Sequence, residues 1–215
     1  MKNSVVIIPA LNEAASLKKL LPKIDKIYDV LVVNDGSIDE TETVATHNGA
    51  FVLNNSQNKG YEHAIGRGLE YASSHSYNKA IVIDADGQHN PTLLSQFFDA
   101  LDSKTDLVCG DRDKSQRVGE VIFRFFGRVF LGVNDPLCGM RAYSISAYNK
   151  IGYFDLNKLV GVEYLIQARK NKFKIINVEI STLERDGRSR FGEGIQTEFR
   201  ILKALLKSMK IYFFN

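Results

Sequence analysis

Short apolar runs alternate with longer stretches of helical periodicity through the first half of the chain. "SVVIIP" (Ser4 to Pro9) is a β-branched run stopped by proline and reads as a buried strand. "NEAASLKKLLPKI" follows, with Leu17, Leu20, Leu21 and Ile24 at helical spacing and Asn12 as the expected N-cap. "DVLVVND" (Asp29 to Asp35) predicts a second strand. "GSIDETETVATHNG" predicts a helix capped by Ser37 or Asp39 and stopped at Gly49. "AFVLNN" predicts a third strand and "KGYEHAIGRGLEYASSH" a helix despite Gly66 and Gly68. "KAIVIDAD" predicts a fourth strand, "NPTLLSQFFDALDS" a helix with Pro91 in its first turn, and "DLVCGDR" a fifth strand. No internal repeat, linker or low-complexity segment interrupts this order.

Strand–helix alternation, with strands apolar on both faces, predicts an α/β fold: a mostly parallel sheet flanked by helices. In such sheets ligands bind beyond the carboxyl ends of the strands. The chain places its unusual polar residues there. "PALNE", "NDGSID", "NNSQNKG" and "DADGQH" follow the first four strands. These acidic, amide, glycine and lysine residues suit a nucleotide, its phosphates and a metal. Asp84 and Asp86 flank one residue, so both can reach a common point. With the amide oxygen of Gln88 they make a hard-oxygen set for Mg²⁺ or Mn²⁺. Two bland alternatives stand beside this: the aspartates cap the helix near Pro91, or they solvate a turn. Glu13 can equally serve a helix dipole, Asp35-Gly36 a turn, Asp39 an N-cap, and Lys59 the solvated surface.

The bulk numbers restrict the rest. The 215 residues are 44% hydrophobic and 25% charged, with net charge +3, which fits one soluble domain. A pI of about 8.7 fits an anionic substrate or membrane surface but is too weak to argue for nucleic acid. Cys109 and Cys138 have no metal spacing and read as reduced core thiols of a cytosolic protein. Met1 leads straight into a strand, so no signal peptide is expected. No run approaches the roughly 20 apolar residues that span a bilayer.

Six motifs, "VVIIPALNE" (Val5 to Glu13), "VVNDGSIDET" (Val32 to Thr41), "NKGYEHAIGRGLEYA" (Asn58 to Ala72), "IDADGQH" (Ile83 to His89), "NDPLCGMRAYS" (Asn134 to Ser144) and "ERDGRSRFG" (Glu184 to Gly192), occur in family order. With them the chain resembles glycosyltransferase family 2, within it the dolichol-phosphate mannose synthase and polyprenyl-phosphate glycosyltransferase group. The resemblance implies a GT-A fold, with a Rossmann-like nucleotide-binding half over 1–110, an acceptor half over 111–192 and a C-terminal amphipathic helix over 193–215. It implies transfer from a nucleotide-diphosphate sugar with inversion at the anomeric carbon. Pro9, Leu11 and Glu13 would line the base and ribose pocket. Asp35 would contact the nucleoside, with Ser37 and Asp39 supporting its loop. Lys59 and Gly60 match a basic-Gly step near the nucleotide. Asp84, Ala85 and Asp86 would lie on the donor, with Asp84, Asp86 and Gln88 holding the metal.

The second half is expected to supply the acceptor site. A helix over "RDKSQRVGEVIFRFFGRVFLG" would bring Arg117, Arg124 and Arg128 to one side, by 3.6-residue periodicity. The resemblance implies that arginines here meet a lipid phosphate. The alternative is a charged face beside a core stripe. By the same resemblance Asp135 lies near the reacting groups, orienting the acceptor or acting as a base. Arg185, Arg188 and Arg190 sit in a Gly- and Ser-bearing loop that could close over a diphosphate or the acceptor phosphate, or simply be solvated. Glu163 is not expected to be the base.

"IQTEFRILKALLKSMKIYFFN" predicts an amphipathic helix with basic and apolar positions. It would lie on an anionic membrane, pack on the domain, or form a dimer face. Many relatives in the resembled group continue into membrane-spanning helices not found here, so the expectation is a cytoplasmic protein, peripheral on a membrane or recruited by a membrane subunit. The expected activity is hexose transfer from a GDP-mannose or UDP-glucose type donor to a polyprenyl or dolichyl phosphate. The alternative acceptor is a glycan or glycolipid hydroxyl. A sugar nucleotidyltransferase would need a glycine-rich loop after the first strand, which "PALNEAAS" does not provide. A regulatory module without turnover would have no use for the paired aspartates and the downstream arginines.

Overall fold

The β-branched runs do form the strands, and their side chains alternate between two apolar layers. The structure, a computed structural model, describes residues 3–113, 117–181 and 195–214. In chain order the first half runs β1 (Ser4–Ala10), α1 (Ala14–Leu20), β2 (Asp29–Asn34), α2 (Thr41–His47), β3 (Phe51–Asn54), α3 (Tyr61–Ser74), β4 (Lys79–Val82), α4 (Leu94–Ala100) and β5 (Leu107–Arg112). The second half runs α5 (Val118–Phe126), β6 (Arg141–Ser144), α6 (Ile145–Ile151), α7 (Val162–Lys170), β7 (Ile175–Ile180) and α8 (Ile195–Phe214). A π-helical turn, Gly127–Leu131, continues α5.

Among the described residues the strands form one sheet in the order β3-β2-β1-β4-β6-β5-β7. β3, β2, β1 and β4 are mutually parallel, so their carboxyl ends lie on one edge. β6 is antiparallel to both β4 and β5, and Arg141 at its start pairs with Val82 and Cys109. Its first residue therefore meets the same edge where β4 and β5 end. That geometry brings the segment before β6 to the ends of the parallel strands.

Val5 and Ile7 of β1 face the layer built on α3, α5, α6, α7 and α8; Val6 and Ile8 face the layer on α1 and α4. The expected cap of α1 differs. Asn12 does not cap it: its backbone is left-handed at φ 54° and its Oδ1 accepts from the Ile38 N–H. Asp39, on the neighbouring loop, instead accepts from the Ala14 N–H at the helix start. Gly49, at φ +80°, stops α2 as expected.

Candidate functional site

The first two loops at the carboxyl edge are stitched to each other. Ser37 Oγ accepts from the Asn12 N–H (2.9 Å), and Thr41 Oγ1 accepts from the Glu13 N–H (2.9 Å). Asp39 accepts from Ala14 N–H (3.2 Å) and from Thr41 N–H (3.0 Å). Burial raises the Asp39 pKa, but the Thr41 hydroxyl and these N–H donors outweigh it, so the carboxyl titrates below its usual range. Ser37 and Asp39 thus tie the loop after β2 to the loop after β1. Pro9 is buried at the end of β1, and Leu11 and Glu13 are half-buried beyond it.

Asp35 is buried and takes three donors from the loop after β3. Asn55 Nδ2 (2.6 Å) and the Lys59 N–H (3.0 Å) donate to Oδ1, and the Gly60 N–H (2.8 Å) donates to Oδ2. The carboxylate folds the Lys59-Gly60 step back over the end of β2. Gly36 makes this possible: a Cβ there would lie 2.6 Å from the Gln57 carbonyl carbon, and its φ is +79°. The Lys59 side chain is exposed at the head of α3, where it and burial lower the pKa of His63, burial contributing more.

Asp84 and Asp86 follow β4, with Ile83 between the end of the strand and Asp84. Asp84 Oδ1 accepts from the Tyr61 hydroxyl at 2.7 Å. The Asp84 N–H donates to Nδ1 of the buried His89 at 3.1 Å. Asp86 is buried, and its Oδ1 accepts from the Gln88 N–H at 3.1 Å. Ala85 is fully buried in the core, so it offers the site its backbone alone. Gly139, from the segment before β6, lies against Asp84: a Cβ on it would fall 2.7 Å from Oδ2. Among the described residues no cluster of three or more His, Cys, Asp or Glu side chains has metal-holding geometry. Two aspartates and an amide fit a hard cation that takes its remaining ligands from a diphosphate and water.

The arginine cluster differs from the helical-wheel expectation. Arg124 donates to Asp135 Oδ2 (3.2 Å), to the Arg112 carbonyl oxygen (3.0 Å) and, by its other nitrogen, to Asp111 Oδ1. Arg112 pairs with Asp135 through Nε (2.6 Å) and Nη2 (3.1 Å). Asp135 is 1% exposed and also accepts from the Leu137 N–H (3.3 Å). Asn134 Nδ2 completes the group on Asp111 (2.8 Å). Arg117 stands at the start of α5 and donates to Glu120 (3.1 Å). Arg128 does not join them: it is exposed on the π-helical turn, where the 3.6-residue repeat no longer holds. Arg185, Arg188 and Arg190 lie outside the described residues.

Behind the site, Arg141 is fully buried and donates to the carbonyl oxygens of Pro136 and Gly161. It ties the segment before β6 to the loop before α7. That loop is held by carboxylates: Glu163 accepts from the Leu156 and Asn157 N–H groups, both at 2.9 Å, and Glu62 from Val160 N–H at 3.1 Å. Glu163 therefore has a structural place. Tyr61, Asn55 and Asp111 are not among the site residues expected from sequence, although Tyr61 stands next to Gly60; Arg112 belongs to the segment whose arginines were expected to meet a phosphate.

The polar strand ends, the paired aspartates and the arginine cluster thus occupy one sheet edge. Residues 5–152 match the family model for "Glycosyl transferase family 2". The chain belongs to this family. It is 28% identical over 212 residues to a polyprenol monophosphomannose synthase of Mycolicibacterium smegmatis, covering 86% of this chain and 79% of that protein. It is 29% identical over 236 residues to the UDP-N-acetylglucosamine–dolichyl-phosphate N-acetylglucosaminyltransferase of Methanococcus voltae, covering 94% of each. Glucosyl-3-phosphoglycerate synthase of Mycobacterium tuberculosis, solved with Mn²⁺ and UDP-glucose, superposes with a TM-score of 0.75 over 96% of this chain and 79% of its own, at 24% identity. The family 2 chain therefore has the GT-A fold.

Proposed function

We propose that this family 2 glycosyltransferase moves a hexose from a nucleotide-diphosphate sugar to a polyprenyl phosphate, with a divalent metal and inversion at the anomeric carbon. The observation that carries the choice of acceptor is the state of Asp135. Its two oxygens accept four hydrogen bonds, three of them from largely buried guanidinium groups. Both oxygens of Asp135 are thus turned to the protein's own donors rather than offered to an acceptor hydroxyl. A phosphate monoester needs no base, because its second pKa is near ~6 and it is largely a dianion at neutral pH.

In this reading Asp84, Asp86 and Gln88 hold Mg²⁺ or Mn²⁺; the Mycobacterium tuberculosis enzyme of the same fold is solved with either ion. When bound, the metal neutralises charge on the departing diphosphate. Asp35 keeps the Lys59-Gly60 step in place, so that Lys59 offsets phosphate charge beside the nucleotide. Tyr61 and Gly139 fix the rotamer of Asp84. Asp135 and Asp111 hold Arg112 and Arg124 toward the incoming phosphate. An acceptor phosphate oxygen attacks the anomeric carbon as the bond to the diphosphate oxygen breaks, and no proton changes hands. Catalysis then rests on positioning and charge stabilisation. In this reading the polyprenyl tail of the acceptor brings the enzyme to a membrane surface.

The test is release of nucleoside diphosphate from GDP-mannose, UDP-glucose and UDP-N-acetylglucosamine, with Mg²⁺ or Mn²⁺, with and without a short polyprenyl phosphate. Release that depends on the lipid phosphate, and is lost in Asp84→Ala and Asp86→Ala, is the expected result. Turnover on a glycan or glycolipid hydroxyl with no response to lipid phosphate would overturn the acceptor assignment.

A further inference from the structure

α8 carries three stripes rather than two. Ile201, Leu205, Ser208 and Ile211 are buried against the domain. Phe199, Leu202, Leu206, Met209 and Phe213 recur at intervals of three and four and are all exposed. Arg200, Lys203, Lys207 and Lys210 form an exposed basic stripe beside them. The exposed apolar stripe lies on the side of α8 that meets α5. Glu198, at its edge, accepts from the Gly119 N–H (2.8 Å), and the Phe213 ring lies 5.3 Å from that of Phe130.

α5 continues the patch. Phe123 and Phe126 point into the core, while Val118, Val121, Ile122 and Phe125 are exposed on the opposite side, with Val129 following on the π-helical turn. Phe125 and Leu206 are 67% and 68% exposed. Ten apolar side chains on two adjacent helices present on the order of 1,000 Å² of apolar surface, where a typical monomer's largest patch is about 300–600 Å².

We infer that the joint α5–α8 face docks flat on a membrane containing anionic lipid. The charge pattern selects this occupant. The sequence of α8 has one carboxylate, Glu198, and it is engaged with Gly119. The remaining charges on α8 are the basic stripe, which would sit at headgroup level while the apolar stripe enters the acyl boundary. A second copy packed antiparallel, about a twofold axis perpendicular to α8 in the plane of this face, would set that basic stripe against itself. α5, which carries part of this face, also carries Arg117 at its start and Arg124 turned inward to Asp135. The purpose of the docking rests on the lipid-phosphate reading above, but the docking itself does not.

Sedimentation with phosphatidylcholine vesicles, with and without phosphatidylglycerol, tests it without donor or acceptor, so its failure is separable from failure of the transfer assay. The wild-type chain is expected to sediment with the anionic vesicles. Lys203→Gln with Lys210→Gln is expected to weaken that binding by about thirtyfold. Phe125→Ser with Leu206→Ser is expected to abolish it, with an unchanged melting temperature, because both side chains are exposed. A chain that stays with the supernatant in all vesicles overturns the inference, as does binding that neither variant weakens. A concentration-dependent dimer broken by Phe125→Ser with Leu206→Ser, without vesicle binding, assigns the face to a second copy instead.

Discussion

Replacing Asp135 by Asn keeps the shape of the side chain and removes its charge. In the native structure Asp135 is 1% exposed and neutralises Arg112 through two hydrogen bonds and Arg124 through a third. Arg124 also pairs with Asp111, so the loss falls mainly on Arg112, whose side chain is 20% exposed. Removing one partner of a buried pair costs about 3–5 kcal/mol, since the other charge is left uncompensated. Remaining access to water for Arg112 puts the expectation at the lower end, about 3 kcal/mol, or a melting temperature lower by roughly 6–12 °C. Urea unfolding should show a lower midpoint at unchanged slope. Adding Arg112→Met to the Asp135→Asn variant should recover part of the loss, because the orphaned charge goes with it. An Asp135→Asn protein as stable as wild type but without turnover would refute this reasoning. It would mean that Asp135 acts on a proton, and the acid limb of the pH–rate profile should then vanish with it.

Tyr61→Phe removes the 2.7 Å hydrogen bond to Asp84 and should weaken Mn²⁺ binding about tenfold, read by paramagnetic resonance without donor; unchanged affinity would argue against Tyr61 as the orienting group. Gly36→Ala forces a Cβ to 2.6 Å from Gln57 at φ +79°, and should cost about 2 kcal/mol and weaken nucleotide binding by calorimetry; a neutral effect on both would show that the loops tolerate separation. Burial pushes the Asp155 carboxyl up to about 6, against three N–H donors that favour its charged form. Its folded-state pKa thus exceeds the unfolded value near ~3.9, so its contribution to stability is full below that and is lost as pH rises through about 6. Hydrogen exchange of the 155–161 amides, corrected for intrinsic rates, should show more protection near pH ~5 than near pH ~7.5; the opposite slope would refute it.

The first four strands were legible because β-branched runs ended by Pro, Asn or Asp carry both a period and a stop signal. Their ordering along one edge followed from strand–helix alternation. β6 was not legible: "RAYS" is four residues long, and its antiparallel insertion between β4 and β5 depends on long-range pairing. β7, with the mixed pattern "IINVEI", escaped for a similar reason. Within the site, residue types at strand ends located Asp35, Asp84 and Asp86. Their partners were hidden because each comes from elsewhere in the chain: Asn55 and Gly60 for Asp35, Tyr61 and Gly139 for Asp84. Arg128 was misplaced because a helical wheel assumes an unbroken 3.6-residue turn, and the π-helical turn breaks it.

The place of β6 in the sheet also has a consequence for biosynthesis. β4 pairs with β1 on one side and with β6 on the other, and some sixty residues separate the two partners β4 and β6 in the chain. During synthesis, which proceeds at roughly 5–20 residues per second, β3, β2, β1 and β4 can assemble while Arg141–Ser144 is still inside the ribosome. For those seconds the apolar "KAIV" segment is an open strand edge, the kind of edge on which nascent chains associate. The four residues that hold the segment before β6 at the candidate site thus also cover the open edge of the growing chain, and a ribosome that pauses shortly before them leaves both unfinished.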